Sequence, residues 1–234
     1  MDDILIDMIN LIIIVLLSIL MDLSAITPVP REHASWLKRN QQLQNVVDTT
    51  GEKAKMIFIG DSITEGWERS GSTIWKELFA PYSSINLGIG GDRTEHVLWR
   101  LQNGQLENLS PDFAVVMIGT NNFGQQNPDS ESMVLKGIIK VVETLRESIP
   151  DTHILLCDIF PRGATYNVMR GSILQVNQAL QNLYATDSHV TFLPVGHLLI
   201  EQDGAISREI MPDYLHLSEE GYRRWANAIL NKIK

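Results

Sequence analysis

Five short apolar runs, separated by stretches with helical spacing, restrict this chain to few architectures. The runs are Met56–Ile59, Ser84–Leu87, Phe113–Ile118, Ile154–Ile159 and Val190–Leu193. Each is too short for an ordinary helix and has strand length. Phe113–Ile118 is almost wholly apolar, as a strand covered on both faces of a parallel sheet must be. Between and around the runs, the spacing predicts helices over His33–Val47, Thr73–Phe79, Ser130–Ser148, Ile173–Tyr184 and Glu219–Ile233. A further helix carries Val97, Leu98 and Leu101. In the first helix, Trp36, Leu37, Leu43 and Val47 are the expected inner face. Regular alternation of strand and helix predicts an α/β fold, a doubly wound and mostly parallel sheet.

Composition excludes several alternatives. The 234 residues suffice for one large domain with a substantial core. A formal net charge of −9 argues against a nucleic-acid partner, which calls for a basic face. The hydrophobic fraction of 44% with mixed charges fits a globular chain rather than a disordered one. A single cysteine, Cys157, rules out an intrachain disulfide, and its apolar run marks it as a buried strand residue.

The first 25 residues stand apart. Residues 4–21 are strongly apolar and approach the length that spans a bilayer, although Asp7, Asn10 and Ser18 weaken the run. The start, Met1-Asp2-Asp3, lacks the basic residues of a secretory signal, and no Lys or Arg precedes Arg31. Arg31, Lys38 and Arg39 follow the run, so insertion would leave the body cytoplasmic. Three readings stay open: a membrane anchor, an atypical signal leading to secretion, or a helix docked on the body or on a second subunit. Translation from Met21 would remove the segment. Ile26-Thr27-Pro28-Val29-Pro30 is a stiff linker, because each proline fixes its own φ and biases its predecessor away from helix. The expected organisation is an N-terminal segment over 1–25 and one domain over 26–234.

Four polar clusters fall just after predicted strands or near the C-terminus. They are Gly60-Asp61-Ser62, Gly88-Ile89-Gly90-Gly91-Asp92, Gly119-Thr120-Asn121-Asn122 and Asp213-Tyr214-Leu215-His216. Loops that follow successive parallel strands converge on the carboxyl edge, where open α/β sheets bind ligands. Taken singly, each cluster has an ordinary explanation. Ser62 or Asn121 could cap a helix, the glycines could serve turns, and His216 could lie on the surface. Gly88-x-Gly90-Gly91 does not match the dinucleotide fingerprint. Together they supply the parts of an acyl-transfer site: Ser62 as nucleophile, His216 as base, and Asp213 to orient the imidazole. The amides of Ser62 and Gly91 and the side-chain NH₂ of Asn121 are candidate donors to a tetrahedral oxyanion. Arg93, Arg162 and Trp67 either border the cleft or serve packing and surface roles.

With these blocks in this order, the sequence resembles the SGNH, or GDSL, hydrolase superfamily. Its nucleophile block matches Gly60-Asp61-Ser62, though followed by Ile63 where leucine is common. Its glycine block matches Gly91, its asparagine block Gly119-Thr120-Asn121-Asn122, and its acid–base block Asp213-Tyr214-Leu215-His216. Within the superfamily the chain is most similar to the catalytic subunits of intracellular platelet-activating-factor acetylhydrolase. The shared text includes Asn86–Asp92, His96–Leu101 and Asp213–Ser218, and runs from about Trp36 to the C-terminus. The resemblance implies a three-layer α/β/α fold with a flavodoxin-like five-stranded sheet, no metal or other cofactor, and often a homodimer. It implies hydrolysis of small acyl esters, often acetyl. By the same resemblance, Ile63, Thr120 and Leu215 correspond to positions lining the acyl pocket.

The expected function is therefore a serine esterase acting on short-chain acyl esters. Its alternatives are a carbohydrate O-acetylesterase of the same fold, a non-catalytic protein that keeps the fold, and a nucleotide- or flavin-binding flavodoxin-like protein. The last leaves Asp213 and His216 unexplained. Membrane contact, where it occurs, is expected through residues 4–21.

Overall fold

The computed structural model describes residue 8 and residues 23–233. The apolar run at 4–21, with its anchor, signal and docked-helix readings, lies outside the described residues apart from Met8. Among the described residues, no helix is long and apolar enough to cross a membrane.

The five expected strands form one sheet. They are β1 (Met56–Gly60), β2 (Ser84–Gly88), β3 (Phe113–Met117), β4 (His153–Cys157) and β5 (Val190–Leu193). Their order is β2-β1-β3-β4-β5, and every pairing is parallel. This is the flavodoxin-like order, in which the chain reverses its direction of winding at β1 and β3. The loops leaving those two strands diverge and open a crevice at the carboxyl edge.

Side chains alternate across each strand and fill two apolar layers. Ile57, Ile59, Leu87, Ala114, Val116, Ile154 and Leu156 face one side. There they meet α1 (Ala34–Thr50), α4 (Thr94–Arg100), α6 (Glu131–Ser148) and α7 (Val168–Leu183). Met56, Phe58, Val115, Met117, Leu155 and Cys157 face the other side. They pack on α3 (Ser72–Leu78), on Trp67 and on α8 (Glu219–Ile233). The expected three-layer α/β/α fold follows, and the uniformly apolar strand interiors have their cause in this double coverage. Cys157 is buried beneath Trp225, whose indole N–H lies 3.3 Å from its sulfur, and burial pushes the thiol well above its ordinary value.

Two local readings differ from the sequence pattern. Trp36, Leu43 and Val47 are buried along α1, but Leu37 is 48% exposed. Each helical residue is turned about 100° from its neighbour, so Leu37 leaves the stripe that the other three share. Helix α7 begins at Val168, five residues ahead of the expected Ile173, because the Asn167 side chain accepts the Arg170 amide at 3.0 Å. The outward Val168 had masked that start, since it is 89% exposed.

The stretch before α1 lies along the body. Ala25 is buried, its carbonyl accepts the Thr94 hydroxyl at 2.8 Å, and the Val29 amide donates to the Glu95 carbonyl at 3.3 Å. These contacts carry Arg31 to the carboxyl edge of the sheet.

Candidate active site

Ser62 stands where β1 stops. Gly60 ends the strand at a point where a Cβ would come within 2.2 Å of the Met117 carbonyl and of the Thr64 hydroxyl. Asp61 then caps a one-turn helix, α2 (Ser62–Glu65), by accepting the Ile63 amide at 2.9 Å. Ser62 is the first residue of that turn. From the far end of the chain, the Tyr222 hydroxyl of α8 donates to the Ile63 carbonyl at 2.7 Å and ties the two segments together.

The loop ahead of α8 brings the other two polar groups. One oxygen of Asp213 accepts the Leu215 and His216 amides at 3.0 and 2.7 Å, which folds the loop back on itself. Its other oxygen lies 2.6 Å from His216 Nδ1, and His216 Nε2 lies 2.9 Å from Ser62 Oγ. Desolvation raises the Asp213 carboxyl, but the His216 ring and the two amides outweigh it and hold the group below its ordinary value. A charged carboxylate on Nδ1 favours the tautomer with its proton there, leaving the Nε2 lone pair toward the serine hydroxyl.

Gly91 and Asn121 are held from beneath. Gly91 has a φ of +78°, which glycine adopts at little cost. Its neighbour Gly90 donates its amide to Glu65 Oε2 at 2.6 Å, and a Cβ on Gly90 would sit 3.7 Å from Ser62 Cβ. Next comes Asp92, wholly buried, whose carboxylate accepts Arg100 Nε at 2.8 Å and the Trp36 indole N–H at 2.5 Å. Arg100, equally buried, also donates to the carbonyls of Leu87 at 3.0 Å and Gly60 at 3.3 Å, and to the Gln105 side chain. Desolvation raises the Asp92 carboxyl, against the pull of the guanidinium beside it. Asn121, in α5 (Thr120–Phe123), donates one side-chain N–H to the Asp92 carbonyl at 2.9 Å. An amide nitrogen carries two N–H groups, so this bond leaves one for a ligand.

Ser62 and His216 line a cavity of about 550 Å³ together with Gly90, Arg31 and Arg39. Gly91 and Asn121 line a neighbouring cavity of about 360 Å³, and Arg31 borders both. Ile63 and Thr120 are buried and Leu215 is half-buried, and none of the three lines either cavity. Trp67 serves packing, inside an aromatic cluster with Phe58, Trp75, Phe79, Tyr222 and Trp225. Arg93 pairs with Glu95 at 2.6 Å beside a buried, neutral His96, whose ring burial pushes down to about 3. Arg162 donates to the Thr120 carbonyl and hydroxyl and lies close enough to Asp61 and Asp213 to act on both charges. Among the described residues, no group of three His, Cys, Asp or Glu side chains is arranged to hold a metal ion.

Sequence reasoning did not single out Glu65, Arg100 or Arg31. Arg100 had a usable signal: a cation beside Val97 and Leu101 on an apolar helical face implies a buried counter-charge. Glu65 and Arg31 had none, because their partners lie in other loops.

The comparisons with known proteins agree with this architecture. Residues 58–224 match the GDSL-like lipase/acylhydrolase family. Platelet-activating factor acetylhydrolase IB subunit alpha1 of Homo sapiens is 38% identical over 177 residues, 76% of this chain and 74% of that protein. Subunit alpha2 of Mus musculus is 36% identical over 189 residues, 81% and 79% of the two chains. Among solved structures, a GDSL-like lipase of Bacteroides thetaiotaomicron superposes with a TM-score of 0.65 at 22% identity, covering 84% of this chain and 96% of that one, a likeness of fold.

Two substitutions test the supports of the site. Arg100→Leu strands the Asp92 carboxylate in the interior and should cost about 3–5 kcal/mol in urea unfolding. Adding Asp92→Asn should restore a large part of that loss, and a double variant no more stable than Arg100→Leu would refute the pairing. Desolvation lifts the Asp61 carboxyl to about 7, against the bond from the Ile63 amide. Between its ordinary value of 3.8 and about 7, the folded chain therefore holds a proton that the unfolded chain has released. The contribution of Asp61 to stability is greatest below that window and is lost as pH rises through it. Asp61→Asn should gain on the parent between about pH 4 and 7, by at most about 1.4 kcal/mol per pH unit, and level off above. A difference independent of pH would contradict the assignment.

Proposed function

The chain belongs to the GDSL-like lipase/acylhydrolase family, and from that premise we propose that it is a serine esterase working through Ser62, His216 and Asp213 on short-chain, chiefly acetyl, esters. Carboxylic ester hydrolysis as such comes with the family. The observation that carries the finer reading is the continuous polar path from Asp213 Oδ2 through the His216 ring to Ser62 Oγ, with links of 2.6 and 2.9 Å.

The proton path follows from this geometry. Ser62 Oγ attacks the ester carbonyl carbon as its hydrogen passes to His216 Nε2. The imidazolium so formed is stabilised by the Asp213 carboxylate. Collapse of the tetrahedral intermediate breaks the bond to the alcohol oxygen, which takes the proton from Nε2. A water then loses a proton to the same nitrogen and attacks the acyl-serine; collapse of that intermediate breaks the bond to Ser62 Oγ, which takes the proton back from Nε2 as the acid is released. Such positioned proton transfer contributes roughly 10²–10⁴ in rate.

The negative oxygen needs donors fixed beforehand. In this proposal they are the Ser62 amide at the start of α2, the Gly91 amide and the second N–H of Asn121. The supports are the bonds that fix the two loops: the Gly90 amide on Glu65 and the Asn121 side chain on the Asp92 carbonyl. Ile63, Thr120 and Leu215 directly neighbour Ser62, Asn121 and His216 in sequence. None of the three lines either cavity, so the acetyl preference in this proposal rests on the likeness to the acetylhydrolase subunits and not on these side chains.

Ser62→Ala should abolish p-nitrophenyl acetate hydrolysis while urea unfolding stays cooperative, and retained turnover would overturn the proposal. Asn121→Ala should lower kcat by about 10²–10³ if its N–H meets the oxyanion, and a loss below about tenfold would remove it from that role.

A further inference from the structure

Four arginines stand around the two cavities, and three have acidic partners. Arg39 grips Glu68 with two bonds, at 2.9 and 2.5 Å. Arg69 pairs with Glu65, and Arg93 with Glu95. Arg31 differs. Its guanidinium donates to the Gly90 carbonyl at 2.8 Å, and among the described residues no carboxylate lies in ion-pair contact with it. Asp92 is near enough to feel its charge, but Arg100 and the Trp36 indole already occupy that carboxylate.

The position of Arg31 is set with care by its surroundings. Pro28 and Pro30 stiffen the approach, the Val29 amide is pinned to the Glu95 carbonyl, and Ala25 is buried. The side chain is partly buried and borders both the cavity of Ser62 and His216 and the cavity of Gly91 and Asn121. Its terminal nitrogen approaches Gly91 so closely that a Cβ there would come within 2.6 Å of it. A guanidinium carries five N–H donors in a planar fork suited to two oxygens of a carboxylate or phosphate, and one bond to Gly90 leaves donors unused.

We propose that Arg31 determines specificity by binding an anionic group, a carboxylate or a phosphate, carried by the ester substrate close to the scissile bond. The proposal rests on the esterase reading above and names the class of ester that this site takes. Arg31 acts on selection, through a charge-assisted pair with a part of the substrate that does not react. Its closeness to the glycine loop limits the spacer between ester and anion to a few atoms.

The test uses the full chain and three matched acetyl esters: phenyl acetate, 3-acetoxybenzoate and 3-acetoxyphenyl phosphate. The parent protein should favour at least one anionic ester over phenyl acetate in kcat/KM by about tenfold or more, the scale of a hydrogen bond to a charged group. Arg31→Gln should reduce that ratio to near one, and Arg31→Lys, which keeps the charge but loses the fork, should retain part of it. The two anionic arms separate a carboxylate reader from a phosphate reader. A parent that hydrolyses phenyl acetate but shows no anionic preference overturns the proposal. So does an Arg31→Gln variant that loses the same factor on all three esters, which would mark a brace for the glycine loop. A parent that hydrolyses none of the three, and whose behaviour Ser62→Ala leaves unaltered, overturns the esterase reading itself and this proposal with it.

Discussion

The buried pair of Arg100 and Asp92 is the constraint on which the site depends. A guanidinium with no exposure must give its N–H groups to partners inside the protein, and it finds them at the strand ends of Gly60 and Leu87, on the Asp92 carboxylate and on the Gln105 side chain. The same ion therefore sets the carboxyl ends of β1 and β2 against each other and holds the loop that follows β2. Such a pair contributes little net stability, because desolvation offsets the attraction. Its value here is geometric. Ser62 leaves one of these strands, Gly91 leaves the other, and the Asp92 carbonyl carries Asn121.

A second support comes from the opposite layer. Helix α8 inserts Tyr222 and Trp225 among the aromatic rings beneath β1, and the Tyr222 hydroxyl reaches the Ile63 carbonyl. The loop that presents Asp213 and His216 precedes this helix, so its approach to Ser62 follows from the packing of α8. The side chains of His216 and Asp213 remain 44% and 56% exposed, on rigid footing but open to solvent. Buried groups define the position, and half-exposed groups are left to meet a ligand.

Much of the fold was legible because its signals are local. An apolar run too short for a helix, repeated five times with amphipathic stretches between, leaves a layered parallel sheet as the economical way to bury it. Leu37 misled because apolar character alone does not assign a face when the residue lies one step off the stripe. The start of α7 was hidden because its first turn faces solvent and only the Asn167 cap marks it. The candidate site was legible as a set of residues, since Ser62, Gly91, Asn121, Asp213 and His216 each sit in a short polar cluster. Glu65 and Arg31 carried no such mark, because each acts on a loop more than twenty residues away.

By itself the sequence determined the strand–helix alternation, the apolar interior of each strand and the polar clusters that must emerge at the sheet's carboxyl edge, because these depend on residues adjacent along the chain. Only the tertiary structure decided which loops meet, that the imidazole of His216 lies 2.9 Å from the hydroxyl of Ser62, and that Arg31 faces the cavity without an acidic partner among the described residues. Distances between remote residues are set by strand order and by the packing of helices on the two faces. No local pattern contains that information.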